Sequence, residues 1–173
     1  MLDRLRVIAV TVGLSLLWGS IAVLSLVPAA VAAPNPPVQV ASLFHFSGKR
    51  PDLLGFKDGK LAPCPASPNC VSSQSEDTAH YIEPLAYEAS PEDTIERLKN
   101  ILKSTDNTQI VVEKPNYLYA EFTSNIMGFI DDVEFLVDDD EALVHVRSAS
   151  RLGESDLGVN RQRIETIRQR LNS

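Results

Sequence analysis

Cysteine is scarce in this chain: of 173 residues, Cys64 and Cys70 are the two cysteines. Two are too few for a mini-protein held together by disulfides, so the fold must rest on an apolar core. Basic charge is also short, with 16 Lys and Arg against 23 Asp and Glu, a net charge of −7 and a pI near 4.9. Phosphate backbones are recognised by basic surfaces, which argues against general nucleic-acid binding. Several signatures of known chemistry are missing as well. The chain has no G-x-S-x-G for a nucleophilic serine, no glycine-rich phosphate or dinucleotide loop, no H-E-x-x-H and no C-x-x-C. Internal repeats and low-complexity tracts are absent too. Hydrophobic residues at 44% and charged residues at 23% are the values of a globular domain.

What is present begins with a leader. Arg4 and Arg6 precede an uncharged apolar run from Val7 to Val27, broken at Pro28. Ala30-Val31-Ala32 then supplies the small residues read by signal peptidase, with cleavage expected after Ala32. The run is long for a signal peptide and long enough to cross a bilayer. Residues 1–32 are therefore either a cleaved signal peptide or an uncleaved anchor spanning residues 7–27. Both place the remainder outside the cytoplasm, in a bacterial periplasm, a thylakoid lumen or at the extracytoplasmic face of a membrane. Removing residues 1–32 leaves a net charge of −8.

Residues 33–60, with Pro34, Pro36, Pro37, Pro51, Gly48, Gly55 and Gly59, read as an extended tether. A single domain is expected over residues 61–173. Tyr81 to Tyr87 reads as a strand, with Pro84 marking an edge or bulge. Ser90-Pro91-Glu92-Asp93 is a helix start, with a hydroxyl cap, proline in the first turn and early acids. Ile95, Leu98, Ile101 and Leu102 carry that helix to about Ser104. Gln109–Glu113 and Tyr117–Thr123 flank a turn at Lys114-Pro115-Asn116. Val133–Val137 and Leu143–Ser148 flank a second, acidic turn at Asp138–Glu141. A last helix is expected from Leu157 to Leu171, capped by Ser155 or Asp156, with Leu157, Ile164, Ile167 and Leu171 as its stripe. This order predicts an α+β fold: an antiparallel sheet of about five strands with two helices packed on one face.

Four groups of residues carry candidate chemistry. Cys64 and Cys70 enclose five residues, and in an oxidising compartment they predict a structural disulfide worth about 2.4 kcal/mol by loop-closure entropy. A thiol-redox role is the alternative, although no Lys, Arg or His lies beside them in sequence to favour a thiolate. Asp131, Asp132 and Glu134 offer oxygens to a hard cation, but strand alternation would send Val133 to one face and Asp132 and Glu134 to the other. Their competing role is pairing with Arg147, Arg151 or Arg161. Residues 147–173 hold six arginines and three acids, against the sign of the rest of the chain. Arg147, Arg151 and Arg161, with Asn160 at the helix start, are candidates for binding an anion or a partner protein. In the structural alternative, Asp156 caps the helix and Asn160 ties the loop. His80, His145 and Asp131 are the candidates for acid–base chemistry beside Arg147 and Arg151. No cofactor is expected.

Four segments occur in order: Cys64-Pro65-Ala66-Ser67-Pro68-Asn69-Cys70-Val71-Ser72-Ser73, Asp131-Asp132-Val133-Glu134-Phe135, Arg147-Ser148-Ala149-Ser150-Arg151 and Asp156-Leu157-Gly158-Val159-Asn160-Arg161. Together they resemble the bacterial, cyanobacterial and plastid family called domain of unknown function 1499. The resemblance runs from about Leu61 to Leu171 and implies no particular reaction or ligand. The leading expectation is an exported, non-catalytic module that binds an anionic ligand or a partner protein. An enzyme using His80, His145 or Asp131, or a thiol-redox protein, are the alternatives.

Overall fold

The computed structural model describes residues 46–173, so the leader, its cleavage site and residues 33–45 of the expected tether lie outside the described residues. A short hairpin comes first, β1 (Phe56–Lys57) and β2 (Lys60–Leu61). Asp58 and Gly59 join them with φ values of 51° and 73°. An Asp-Gly pair with both residues in the left-handed region is the turn that two-residue hairpins favour, because its twist matches that of the strands. Residues 46–60, expected as tether, thus include a folded strand pair; an Asp58-Gly59 signal was present in the sequence.

The main sheet has six strands, all paired antiparallel, where the sequence predicts about five. These are β3 (Cys70–Ser72), β4 (Leu85–Ala86), β5 (Thr108–Lys114), β6 (Tyr117–Thr123), β7 (Ile130–Asp138) and β8 (Leu143–Ser150). The spatial order is β3-β8-β7-β6-β5, with β4 also on the outer side of β8. The additional strand is β3, which lies within the cysteine segment and is too short to show any alternation of its own. Its residues Cys70, Val71 and Ser72 stand opposite Ala149, Ser148 and Arg147. The strand expected over Tyr81–Tyr87 shrinks to Leu85–Ala86 plus a single bridge between Ser72 and Tyr81. Pro84 has no N–H to offer a ladder, and regular pairing starts only after it.

Helix α1 (Pro91–Lys103) begins as its sequence dictates: the Ser90 hydroxyl accepts from Asp93 N at 3.1 Å, and Pro91, Glu92 and Asp93 fill the first turn. Helix α2 (Val159–Leu171) starts two residues later than expected. Gly158 adopts φ 83° at its N-cap, and the Asp156 carboxylate accepts from Gly158 N at 3.0 Å and Asn160 N at 2.8 Å. Leu157, expected on the helix stripe, is instead 94% exposed in the turn before it.

Alternate strand residues Leu118, Ala120, Phe122, Val133, Phe135, Val137, Val144 and Val146 form one apolar cluster with Ile95, Leu98 and Leu102 of α1 and Ile164, Ile167 and Leu171 of α2. A smaller cluster joins the opposite parity, Tyr117, Tyr119 and Leu136, to Leu54 and Leu61. β7 is therefore buried on both sides from Asp131 to Val137. A strand covered on only one side would expose its alternate acids; here residues 50–61 cover them. That covering determines the electrostatics of the site.

Candidate functional site

Strand parity divides the acidic segment. Asp131 lies on the parity of Val133 and Phe135, while Asp132 and Glu134 lie on that of Leu136. Each carboxylate meets an arginine. Arg151 Nε donates to both oxygens of Asp132, at 3.1 and 3.0 Å, and its Nη2 reaches Asp132 Oδ1 at 2.7 Å, Tyr119 OH at 3.0 Å and Glu121. The two side chains of the Asp132–Arg151 pair are 1% and 5% exposed. Tyr119 OH lies 2.6 Å from Asp132 and 2.8 Å from Glu121, and Arg50 of the covering segment donates to Glu121 at 2.7 Å. Hydrogen bonding to Asp132 raises the Arg151 pKa above its ordinary value, so this guanidinium is a fixed cation.

Glu134 is wholly buried. One of its oxygens accepts from Gly55 N and from Tyr117 OH, each at 2.7 Å, and the other from Arg147 Nη1 at 3.3 Å. Burial pushes its carboxyl above the usual range, although those three donors oppose the shift. Burial likewise raises Tyr117 and Tyr119, so both phenols remain protonated donors. Glu121 goes the other way: burial works against its charge, but hydrogen bonds from Tyr119, Arg151 and Arg50 outweigh it and lower its pKa.

On the other side of the sheet, Asp131 pairs with Arg163 rather than with Arg161. Arg163 also donates to Asn160 Oδ1 at 2.6 Å and Ser148 Oγ at 3.0 Å, with its guanidinium 4.7 Å from the Phe122 ring centre. Asn160 is wholly buried: its Nδ2 donates to Asn69 O at 3.0 Å and Ser150 Oγ at 2.9 Å, and its Oδ1 accepts from Ser148 Oγ at 2.5 Å. Arg161 reaches only Ala79 O, at 3.2 Å near the surface.

The candidate acid–base residues do not converge. Asp131 and the Arg147–Arg151 pair have opposite parities in the sheet. His80 is buried between the Asp77 carboxylate at 2.9 Å and Ser67 O at 3.1 Å. His145 sits 3.3 Å from Ser73 Oγ and 3.7 Å from Asp138 Oδ2. The metal candidates Asp131, Asp132 and Glu134 are split by parity and each engaged by an arginine. Donor atoms of Asp138, Glu141 and His145 do come within 4.8 Å of one another, a grouping that sequence spacing did not show because it depends on the β7–β8 register. Asp138 Oδ1 is there taken up by the turn, accepting from Asp140 N and Glu141 N. Cys64 and Cys70 form a disulfide.

Of the arginines named from sequence, Arg147 is the one with a buried nitrogen left unpaired among the described residues. Its Nε is buried with no hydrogen-bond partner among the described residues, and its single bond is the long one from Nη1 to Glu134. Arg147 also lines a cleft of about 320 Å³ with Pro51, Leu53, Leu54, Ala62, Pro63, Cys64 and Pro65. Larger clefts lie elsewhere, one of 550 Å³ beside His80 and one of 460 Å³ beside Arg97. Arg97 donates to Leu171 O at 2.6 Å, and His80 has an acceptor at each ring nitrogen.

Replacing Arg147 with methionine tests how far it neutralises Glu134. Because the folded pKa of Glu134 is raised, its stabilising contribution is complete below the ordinary carboxylate range and is lost as pH rises through the folded value. Without Arg147 that value rises further. The stability gap between the native chain and Arg147→Met is therefore expected to be small near pH 4 and to reach about 1–3 kcal/mol at pH 8. Urea titrations at both pH values measure it; a gap independent of pH would remove the coupling.

Fold and site together define an α+β domain whose antiparallel sheet carries a buried ionic network under an N-terminal cover, with one arginine left underused at a cleft. The chain belongs to the family described as Protein of unknown function (DUF1499), which it matches over residues 60–171. One relative, the thylakoid lumenal 17.9 kDa protein, chloroplastic, of Arabidopsis thaliana, is 36% identical over 91 residues. That match covers 50% of this chain and 40% of the relative, so it spans well under two thirds of the relative's length.

Proposed function

We propose that this protein is an extracytoplasmic, non-catalytic binding module that holds an anionic group on Arg147. The observation that carries this reading is the buried, unpartnered Nε of Arg147, a residue that lines the cleft between residues 51–54 and 62–65. A buried donor left without an acceptor costs about 1–3 kcal/mol, and a ligand oxygen would recover it. Arg151 is tied to Asp132 and Glu121, and Arg163 to Asp131, Ser148 and Asn160, so they serve the fold, and the same follows for Asn160. The location is supported by the leader-like residues 1–32, by the Cys64–Cys70 disulfide and by the lumenal relative.

Titrating the protein with acetate, phosphate and sulfate while recording amide chemical shifts tests the site. The expected result is that at least one anion moves resonances of residues 51–54, 62–65 and 147, and that Arg147→Met abolishes the effect while keeping a native spectrum. Shifts confined to other surfaces, or unchanged by the substitution, would remove Arg147 from the function.

A further inference from the structure

We propose that the Arg147 cleft selects a monocarboxylate carried on an apolar body, gripped side-on by Nε and Nη2 of the guanidinium. This rests on the anion-binding reading above and names the class of ligand. The donor set supplies the first argument. Nη1 is committed to Glu134, whereas Nε is buried without a partner and Nη2 makes no hydrogen bond among the described residues. Nε–H and one Nη2–H point the same way in the guanidinium plane, at the spacing of two carboxylate oxygens. The side chain is 9% exposed, so such a bond would form away from bulk water. Arg151 provides the contrast, since its own Nε and Nη2 already hold Asp132 in this manner.

The walls supply the second argument. Pro51, Leu53, Leu54, Pro63, Pro65 and the Cys64 end of the disulfide present no charged side chain. A volume of about 320 Å³ has room for roughly ten water-sized groups. Nothing in that lining other than Arg147 could balance a second negative charge, and Glu134 already occupies the far side of the same guanidinium. A doubly charged phosphate therefore fits poorly. A single carboxylate on a short aliphatic or branched body satisfies the donors and covers the prolines and leucines. That chemistry occurs both in free aliphatic acids and at the C-terminus of a peptide ending in an apolar residue.

Calorimetric titration of the protein as purified after export distinguishes these cases, using octanoate, N-acetyl-leucyl-leucine, acetate, phosphate and octanol. Octanoate or the dipeptide is expected to bind roughly tenfold or more tighter than acetate, because the apolar body is buried along with the carboxylate. Octanol and phosphate should bind weakly or not at all. Whichever of octanoate and the dipeptide binds tighter identifies the source as a free acid or a peptide terminus, and either result supports the proposal. Leu53 is 77% exposed, so Leu53→Asp should leave the melting temperature unchanged while weakening octanoate about tenfold by charge repulsion at the rim. If acetate binds through Arg147 and neither apolar acid binds tighter, the apolar selectivity is wrong and the anion site stands. If no anion binds, both readings fall. Octanoate affinity unchanged in a natively folded Arg147→Met would overturn the side-on grip.

Discussion

Arg151→Met is expected to cost about 3–5 kcal/mol of folding stability, the largest effect of any single substitution in the ionic network. The substitution removes the cationic partner of Asp132, which is 1% exposed and cannot regain water without opening the sheet. Tyr119 OH and Glu121 also lose a donor, and Arg50 alone remains to neutralise Glu121. The double variant Asp132→Leu with Arg151→Met should recover most of the loss, since removing both charges leaves no unpaired ion. Chemical denaturation of the two variants and their parent checks this. A loss of less than about 1 kcal/mol in Arg151→Met would mean that the pair is solvated and that Arg151 is free for a ligand.

Asn160→Ala should follow, with a loss of about 3 kcal/mol and an unchanged dependence on denaturant. Four groups lose a partner at once: Asn69 O, Ser148 Oγ, Ser150 Oγ and Arg163 Nη1. These come from the cysteine segment, the end of β8 and α2, so the substitution loosens three parts of the fold together. Hydrogen exchange should show the damage at the end of β8, where the Ser150 N–H donates to Asn69 O at 3.0 Å. If the loss falls below about 1 kcal/mol, water substitutes for the amide and Asn160 becomes available for binding.

These two sites gather most of the charged residues of the motifs. Asn69, Ser148, Ser150 and Asn160 meet at one hydrogen-bonded hub, to which Asp131 is joined through Arg163. Asp132, Glu134, Arg147 and Arg151 meet on the opposite parity. Ordered motifs that resemble a binding site in one dimension are, in three, largely the means by which helix α2, the sheet and the cysteine loop are fastened together. Arg147 differs because its pairing with Glu134 leaves Nε buried without a partner.

Some of this was legible beforehand because it depends on neighbours in the chain. Ser90-Pro91-Glu92-Asp93 start α1 through local hydrogen bonds and a fixed proline φ, so the helix appears where the residues say it should. The β5–β6 and β7–β8 hairpins follow from alternation on either side of turn residues. That Asp132 and Glu134 share a face apart from Val133 follows from the two-residue period of a strand. The α+β class, the antiparallel sheet and the proximity of the two cysteines belong to the same group.

What the tertiary structure decided is which acid meets which arginine and what covers them. Asp131 pairs with Arg163 rather than Arg161 because the register of α2 against β7 sets that distance, and no spacing along the chain encodes it. β3 became the sixth strand because β8 offered it a ladder. The segment containing Pro51, Gly55 and Gly59 lies over the sheet because Leu54 and Leu61 find an apolar patch there and Gly55 N finds Glu134. Covering turned surface acids into buried ones, and burial is what makes their arginine partners structural. Sequence determined the elements, because those rest on local energies. Only the packed fold could leave one guanidinium edge unpaired beside an apolar wall, because that depends on where chains distant in sequence come to rest.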